Sequence, residues 1–253
     1  DHPKKVLIVQ EGEIIGAHET FKPIAVIHTP KGETVLDFGQ NLTGYLSFSL
    51  TVPAGKTVVI DHAEVLDKDG NFYNENYRTA KEPVIYVLSG ETDSFKPTYT
   101  FQGFRYIRLT EFPFEDVDLD AFRAIVVHSN MKRTGYFRCG NEKINQLYHN
   151  VIWGQKSNYL DVPTDCPQRD ERLGWTGDAQ VFARTACINM DSHLVLAKWL
   201  TDLATDQRAD GAVPHIVPAA MDGYGSAAWG DAATIVPWTL YQCYGDKRVL
   251  ERQ

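Results

Sequence analysis

Between Asp165 and Asp178 the chain reads DCPQRDERLGWTGD, with four acids (Asp165, Asp170, Glu171, Asp178), two arginines (Arg169, Arg172) and a tryptophan set among Pro and Gly breaks. A solvated helix face would place Glu and Lys four residues apart. This run does not, and it reads as a loop that enters a helix and aims charges into a cleft. Two carboxyls in contrasting surroundings are what glycosidic cleavage needs, one held protonated and the other ionised. With Thr176 as helix cap, Asp178 falls in the first turn, where the helix dipole favours its ionised form. An ionised Asp178 nearby would raise the pKa of Glu171, as like charges do, and suit it to proton donation. Trp175 offers a flat apolar face for a sugar ring, and Asp165 and Arg169 could hold hydroxyls by charge-assisted hydrogen bonds. The same residues could equally form a structural salt-bridge network at a helix entrance, with Trp175 in the core. Trp229 lies in a small-residue loop (Gly223–Trp229) and is a candidate pocket wall, with Asp231 read as a helix cap.

Other chemistries find less in the sequence. There is no GxSxG elbow, no GxGxxG after a strand and no P-loop, so no nucleotide cofactor is expected. The eight histidines show no HExxH-type spacing, so no metal site is expected. The net charge of −8 argues against nucleic acid as a partner, because reading phosphates takes clustered Lys and Arg. No apolar run approaches the ~20 residues of a membrane span. Cys139, Cys166, Cys187 and Cys243 are widely spaced without a CxxC pair and read as idle thiols, which leans toward a reducing cytoplasm. The acids around Cys166 would disfavour its thiolate and so a nucleophilic role. Asp67–Asn71 reads as a turn, since its glycine is misplaced for a calcium loop.

The elements that must position the run come in two blocks. Up to about residue 130 there are short apolar or alternating stretches: Val6–Val9, Ile24–Ile27, Val35–Phe38, Tyr45–Val52, Thr57–Ile60, Val84–Leu88, Phe95–Phe101, Phe104–Leu109 and Ala121–Val127. Punctuated by Gly and Pro, they predict an antiparallel β-sandwich of jelly-roll type. After Ser129 the period changes. Ile144, Leu147, Tyr148, Val151 and Ile152 predict an amphipathic helix starting near Asn141. Further stripes at Ala179–Ala186, Leu196–Leu203 and Ala232–Cys243 predict three more, with caps near Thr176, Asp191 and Asp231 and a stop at Gly245. Asp246 is placed to cap a fifth. Strands followed by helices argue for two domains, 1–130 and 131–253, rather than an α/β fold.

The run DCPQRDERLGWTGD resembles the signature of bacterial α-L-rhamnosidases, inverting glycoside hydrolases built on a six-hairpin α/α toroid. Leu36–Gly44 (LDFGQNLTG) and Phe101–Ile107 (FQGFRYI) resemble the β-sandwich that precedes the toroid, and Trp229–Trp238 (WGDAATIVPW) resembles a later toroid segment. The resemblance implies that Glu171 is the general acid and that Asp165, Arg169, Trp175, Asp178 and Trp229 line a rhamnose pocket. It implies a rhamnose-containing glycoside or polysaccharide as the partner and leaves a homo-oligomer open. It also implies a catalytic base, a glutamate far downstream, that matches no residue here, with residues 131–253 supplying about two of six hairpins. The segment alone is therefore expected to be inactive and prone to associate through uncovered apolar helix faces. Two alternatives stay open: a non-catalytic sugar-binding module, and a six-hairpin hydrolase for another sugar.

Overall fold

In the computed structural model, which describes residue 7 and residues 9–253, the first half of the chain is antiparallel sheet. The strands are β1 (Ile15–Phe21), β2 (Ala25–His28), β3 (Thr34–Thr51), β4 (Thr57–Ala63), β5 (Val65–Leu66), β6 (Phe72–Tyr73), β7 (Val84–Val87), β8 (Thr92–Phe95), β9 (Gln102–Glu111) and β10 (Phe122–Ser129). The main sheet runs β1-β10-β3-β9-β4-β7, and β2 and β8 also pair with β3. β5 and β6 form a separate hairpin around a turn in which Asp67 Oδ1 accepts from the Asp69 and Asn71 amides. The expected Val6–Val9 strand includes Val6 and Ile8, which lie outside the described residues.

Two expected strands, Val35–Phe38 and Tyr45–Val52, are one 18-residue strand, β3. Gly39-Gln40-Asn41 is a bulge within it rather than a turn, and the register against β9 slips between Asp37 and Leu42. Asp37 anchors the bulge by accepting from the Gly39 amide at 2.6 Å and from Arg105 through two bonds of 2.8 Å. Beyond the bulge the expected alternation holds: Leu46, Phe48 and Leu50 are buried, while Ser49 and Thr51 are exposed. Phe48 stacks on Phe95 at 5.0 Å in a core shared with Leu36, Phe104, Ile107 and Phe122. The expected strand Phe95–Phe101 does not form. β8 ends at Phe95, and the residues up to Phe101 are irregular.

The second half is helical: α1 (Glu142–Asn158), α2 (Thr176–Asn189), α3 (His193–Asp206), α4 (Ala232–Tyr244) and α5 (Lys247–Arg252), with a two-stranded ribbon after α1 formed by β11 (Tyr159–Leu160) and β12 (Val162–Pro163). Asn141 and Asp246 cap α1 and α5 through their side chains, and Gly245 closes α4 in the left-handed conformation. Ala179, Ala183 and Ala186 are buried on one face of α2, and these small residues let α4 approach closely. The stripe expected to bury α1 is only partly covered. Ile152 is buried, whereas Ile144 and Leu147 are exposed.

Trp199 of α3 is the largest fully buried side chain, and its indole N–H donates to the Val217 carbonyl at 3.1 Å. Trp199→Ala is expected to destabilise the helical half by about 3–5 kcal/mol, the usual cost of emptying such a site. Denaturant unfolding measures this, and a loss below about 1 kcal/mol would contradict the packing described.

Candidate active site

The run singled out in the sequence is a loop between β12 and α2. Asp165 ties its two ends together: the Asp165 amide donates to the Leu173 carbonyl at 3.1 Å, and the Leu173 amide donates to Asp165 Oδ1 at 3.0 Å. Asp165 Oδ2 faces Arg169 Nη2 at 3.4 Å, and its side chain is only 7% exposed. Arg169 Nε donates to Glu171 Oε2 at 2.8 Å. Asp165, Arg169 and Glu171 thus form one charge-alternating chain within seven residues.

The loop's exit is held from the far side. Trp175 pairs with Ile216, and the Val217 amide donates to the Gly174 carbonyl at 2.8 Å. Trp175, not Thr176, occupies the cap position of α2, and no side chain caps the helix. Thr176 is fully buried, and its hydroxyl donates to the carbonyls of Pro214 and His215. A Thr at a helix start has the same sequence signature whether its hydroxyl turns to the helix amides or, as here, to a crossing segment.

Asp178 does lie in the first turn of α2, as expected. Its pKa is raised, first by partial desolvation, then by Asp165 and Glu171. The side chain is exposed overall, so the burial effect is local to the cleft. A helix dipole at such a position is worth about 0.3–1 kcal/mol, which desolvation and two like charges outweigh. Glu171 is placed differently again: its carboxyl accepts from two guanidinium groups, Arg169 and Arg78, the latter at 3.1 Å. The ion pair expected as the plain structural alternative is therefore present, and it sits beside Asp165 and Asp178 rather than away from them.

A cavity of about 640 Å³ opens next to this network, lined by Asp165, Asp178, Trp229, Gln155, Asn158 and Tyr159 among others. That is within the ~300–1,000 Å³ usual for small-molecule sites. Arg169, Glu171 and Trp175 are not part of this wall. Trp229 lies over the start of α2 because residue 177 is glycine. A Cβ there would sit 3.1 Å from the indole ring. Asp231 occupies the cap position of α4, yet its carboxylate turns back to accept from the Ala228 amide at 2.9 Å, fixing the Trp229 loop instead of the helix.

Asp165, Cys166 and Glu171 bring potential ligand atoms within 4.8 Å of one another. The donor set suits a metal poorly. Arg169 already occupies both carboxylates, and burial, then Asp165, pushes the Cys166 thiol up to about 11. All four cysteines are free thiols.

The sequence reading missed Arg78, Thr79 and His215. Arg78 and Thr79 sit in a polar turn that looks like any solvent loop. His215, whose ring lies 5.9 Å from Trp229, had only its nearness to Pro214 in the chain as a signal. Among the described residues no helix is long and apolar enough to cross a membrane.

Residues 132–253 match the bacterial alpha-L-rhamnosidase 6 hairpin glycosidase domain, and residues 27–128 match the bacterial alpha-L-rhamnosidase concanavalin-like domain. An alpha-L-rhamnosidase of Streptomyces avermitilis is 43% identical over 253 residues, covering 99% of this chain and 24% of that protein. One from Formosa agariphila is 40% identical over 220 residues, covering 86% of this chain and 24% of that protein. The crystal structure of the Streptomyces avermitilis enzyme complexed with L-rhamnose superposes with a TM-score of 0.94 at 41% identity, covering 97% of this chain and 24% of that one. The native Aspergillus terreus enzyme gives a TM-score of 0.94 at 40% identity, covering 100% of this chain and 30% of that one. The chain thus spans about a quarter of the length of these relatives.

Proposed function

Because the chain belongs to the bacterial α-L-rhamnosidase family, we propose that the full-length protein removes terminal α-L-rhamnose from glycosides or polysaccharides by inverting hydrolysis, with Glu171 as the proton donor. The observation that carries this reading is the Asp165–Arg169–Glu171 chain set against a cavity walled by Asp165, Asp178 and Trp229. The sugar lies against Trp229 while Asp165 and Asp178 accept its hydroxyls. Arg169 aims Glu171 at the glycosidic oxygen, with Trp175 holding the start of α2 beside it. The carboxylate that activates water must lie ~6.5–9.5 Å from the acid on the other face of the ring. It is assigned to a residue beyond these 253, in keeping with the greater length of the relatives. The division of labour falls near residue 130, with a β domain of 1–130 and the first part of the catalytic domain in 131–253.

A panel of nitrophenyl glycosides assayed on the full-length protein tests the substrate, and NMR of the first-formed anomer tests inversion. α-L-Rhamnoside should be cleaved, with β-L-rhamnose appearing first. Preferred cleavage of another sugar would move the reading to a different hydrolase, and sugar binding without turnover would reduce it to a binding module.

A further inference from the structure

Three consecutive residues of the catalytic loop are each gripped by the β domain. Asp170 accepts from the Thr79 hydroxyl, Glu171 accepts from Arg78, and Arg172 donates to the Phe101 carbonyl at 3.3 Å with its guanidinium 5.4 Å from the Phe101 ring. Just upstream in the loop, Pro167 and Gln168 press on Gly103, where a Cβ would lie 2.8 Å from Pro167. Tyr77, almost wholly buried, anchors this side by donating to the Gly103 carbonyl. The next residue, Arg78, has a left-handed backbone (φ 57°), and its amide closes the 3-10 turn Glu75–Tyr77 on the Glu75 carbonyl. A non-glycine residue in that conformation persists where surrounding structure dictates it. From this turn the Arg78 side chain reaches Glu171, 93 residues away in the chain.

We infer that Arg78, a residue of the β domain, is a positioning residue for the reaction: together with Arg169 it fixes the direction in which the Glu171 carboxyl points. The inference rests on the reading of Glu171 as proton donor. Arg78 is 54% exposed, so the pair adds little to stability. Its effect is on where the carboxyl points and on the charge beside it. The other groups facing this network are Arg169, Asp165, Cys166 and Asp170 of the same loop, the last facing Arg78 itself, Asp178 of α2, and Glu64 of the β4–β5 connection, which faces Arg169.

The test is the steady-state kinetics of full-length Arg78→Ala, Arg78→Gln and Arg78→Lys on an alkyl α-L-rhamnoside and on a dinitrophenyl α-L-rhamnoside, whose phenolate departs without a proton, with thermal unfolding as a folding control. Arg78→Ala and Arg78→Gln should lower kcat on the alkyl substrate about 10-fold, the scale of a modest misplacement, and lower it much less on the dinitrophenyl substrate. Arg78→Lys, which keeps a cationic donor, should recover part of the loss, and affinity for L-rhamnose should hold in all three. A purely structural role would lower kcat on both substrates alike, and that result, or an Arg78→Ala enzyme within about twofold of wild type on the alkyl substrate, would overturn the inference. Glu171→Gln separates the two levels. If it loses equally on both substrates, Glu171 is not the donor. If its loss is confined to the alkyl substrate while Arg78→Ala loses equally on both, only the role of Arg78 fails.

Discussion

Replacing Glu171 by Gln in the full-length protein is expected to lower turnover of rhamnosides with sugar or alkyl leaving groups by about 100- to 10,000-fold, the range general-acid catalysis supplies. Gln is isosteric, and its amide oxygen can still accept from Arg169 and Arg78, so the loop should keep its shape. What is lost is the proton. Affinity for L-rhamnose, measured calorimetrically, should change only a few-fold, because Asp165, Asp178 and Trp229 form the cavity wall and Glu171 does not. Turnover within about tenfold of wild type would remove Glu171 from the chemistry.

The second large effect is expected at Asp165. Its carboxylate accepts from the Leu173 amide with one oxygen and faces Arg169 with the other, and it is almost buried. Asp165→Ala leaves that amide and guanidinium short of a partner, at a cost of about 1–3 kcal/mol. The catalytic consequence should be larger. Arg169 would lose the group that opposes its pull on Glu171, and a displacement of about 1 Å at a reacting group is worth about 100-fold in rate. Asp165→Asn, which can still accept from Leu173 but no longer offers Arg169 an acceptor, should recover part of the stability but not the rate. Kinetics and thermal unfolding on both variants check this, and an Asp165→Ala enzyme within threefold of wild type would contradict it.

Much of the frame was legible in the residues, because alternation and helical period report burial directly. The half-buried face of Tyr45–Val52 and the alanine stripe of α2 are where their spacing placed them. What stayed hidden depended on partners distant in the chain. Gly39-Gln40-Asn41 has the composition of a turn and became a bulge because β9 and the Arg105–Asp37 pair hold both sides of it together. The stripe of α1 has the right period, yet Ile144 and Leu147 stay exposed, so periodicity marked an apolar face without marking what covers it. The upward shift of the Asp178 pKa comes from desolvation and from two acids brought close by the loop, which a helix-dipole argument from sequence leaves out. Arg78 gave no local signal, since its partner lies 93 residues away in the chain.

The most direct measurement is the leaving-group dependence of Glu171→Gln in the full-length protein, comparing an alkyl α-L-rhamnoside with a dinitrophenyl α-L-rhamnoside whose phenolate departs without a proton. If Glu171 protonates the leaving oxygen, the alkyl substrate should lose about 100-fold or more while the dinitrophenyl substrate loses much less. Equal losses on both substrates would show that position 171 acts on something other than the departing oxygen, and would contradict its role as the acid.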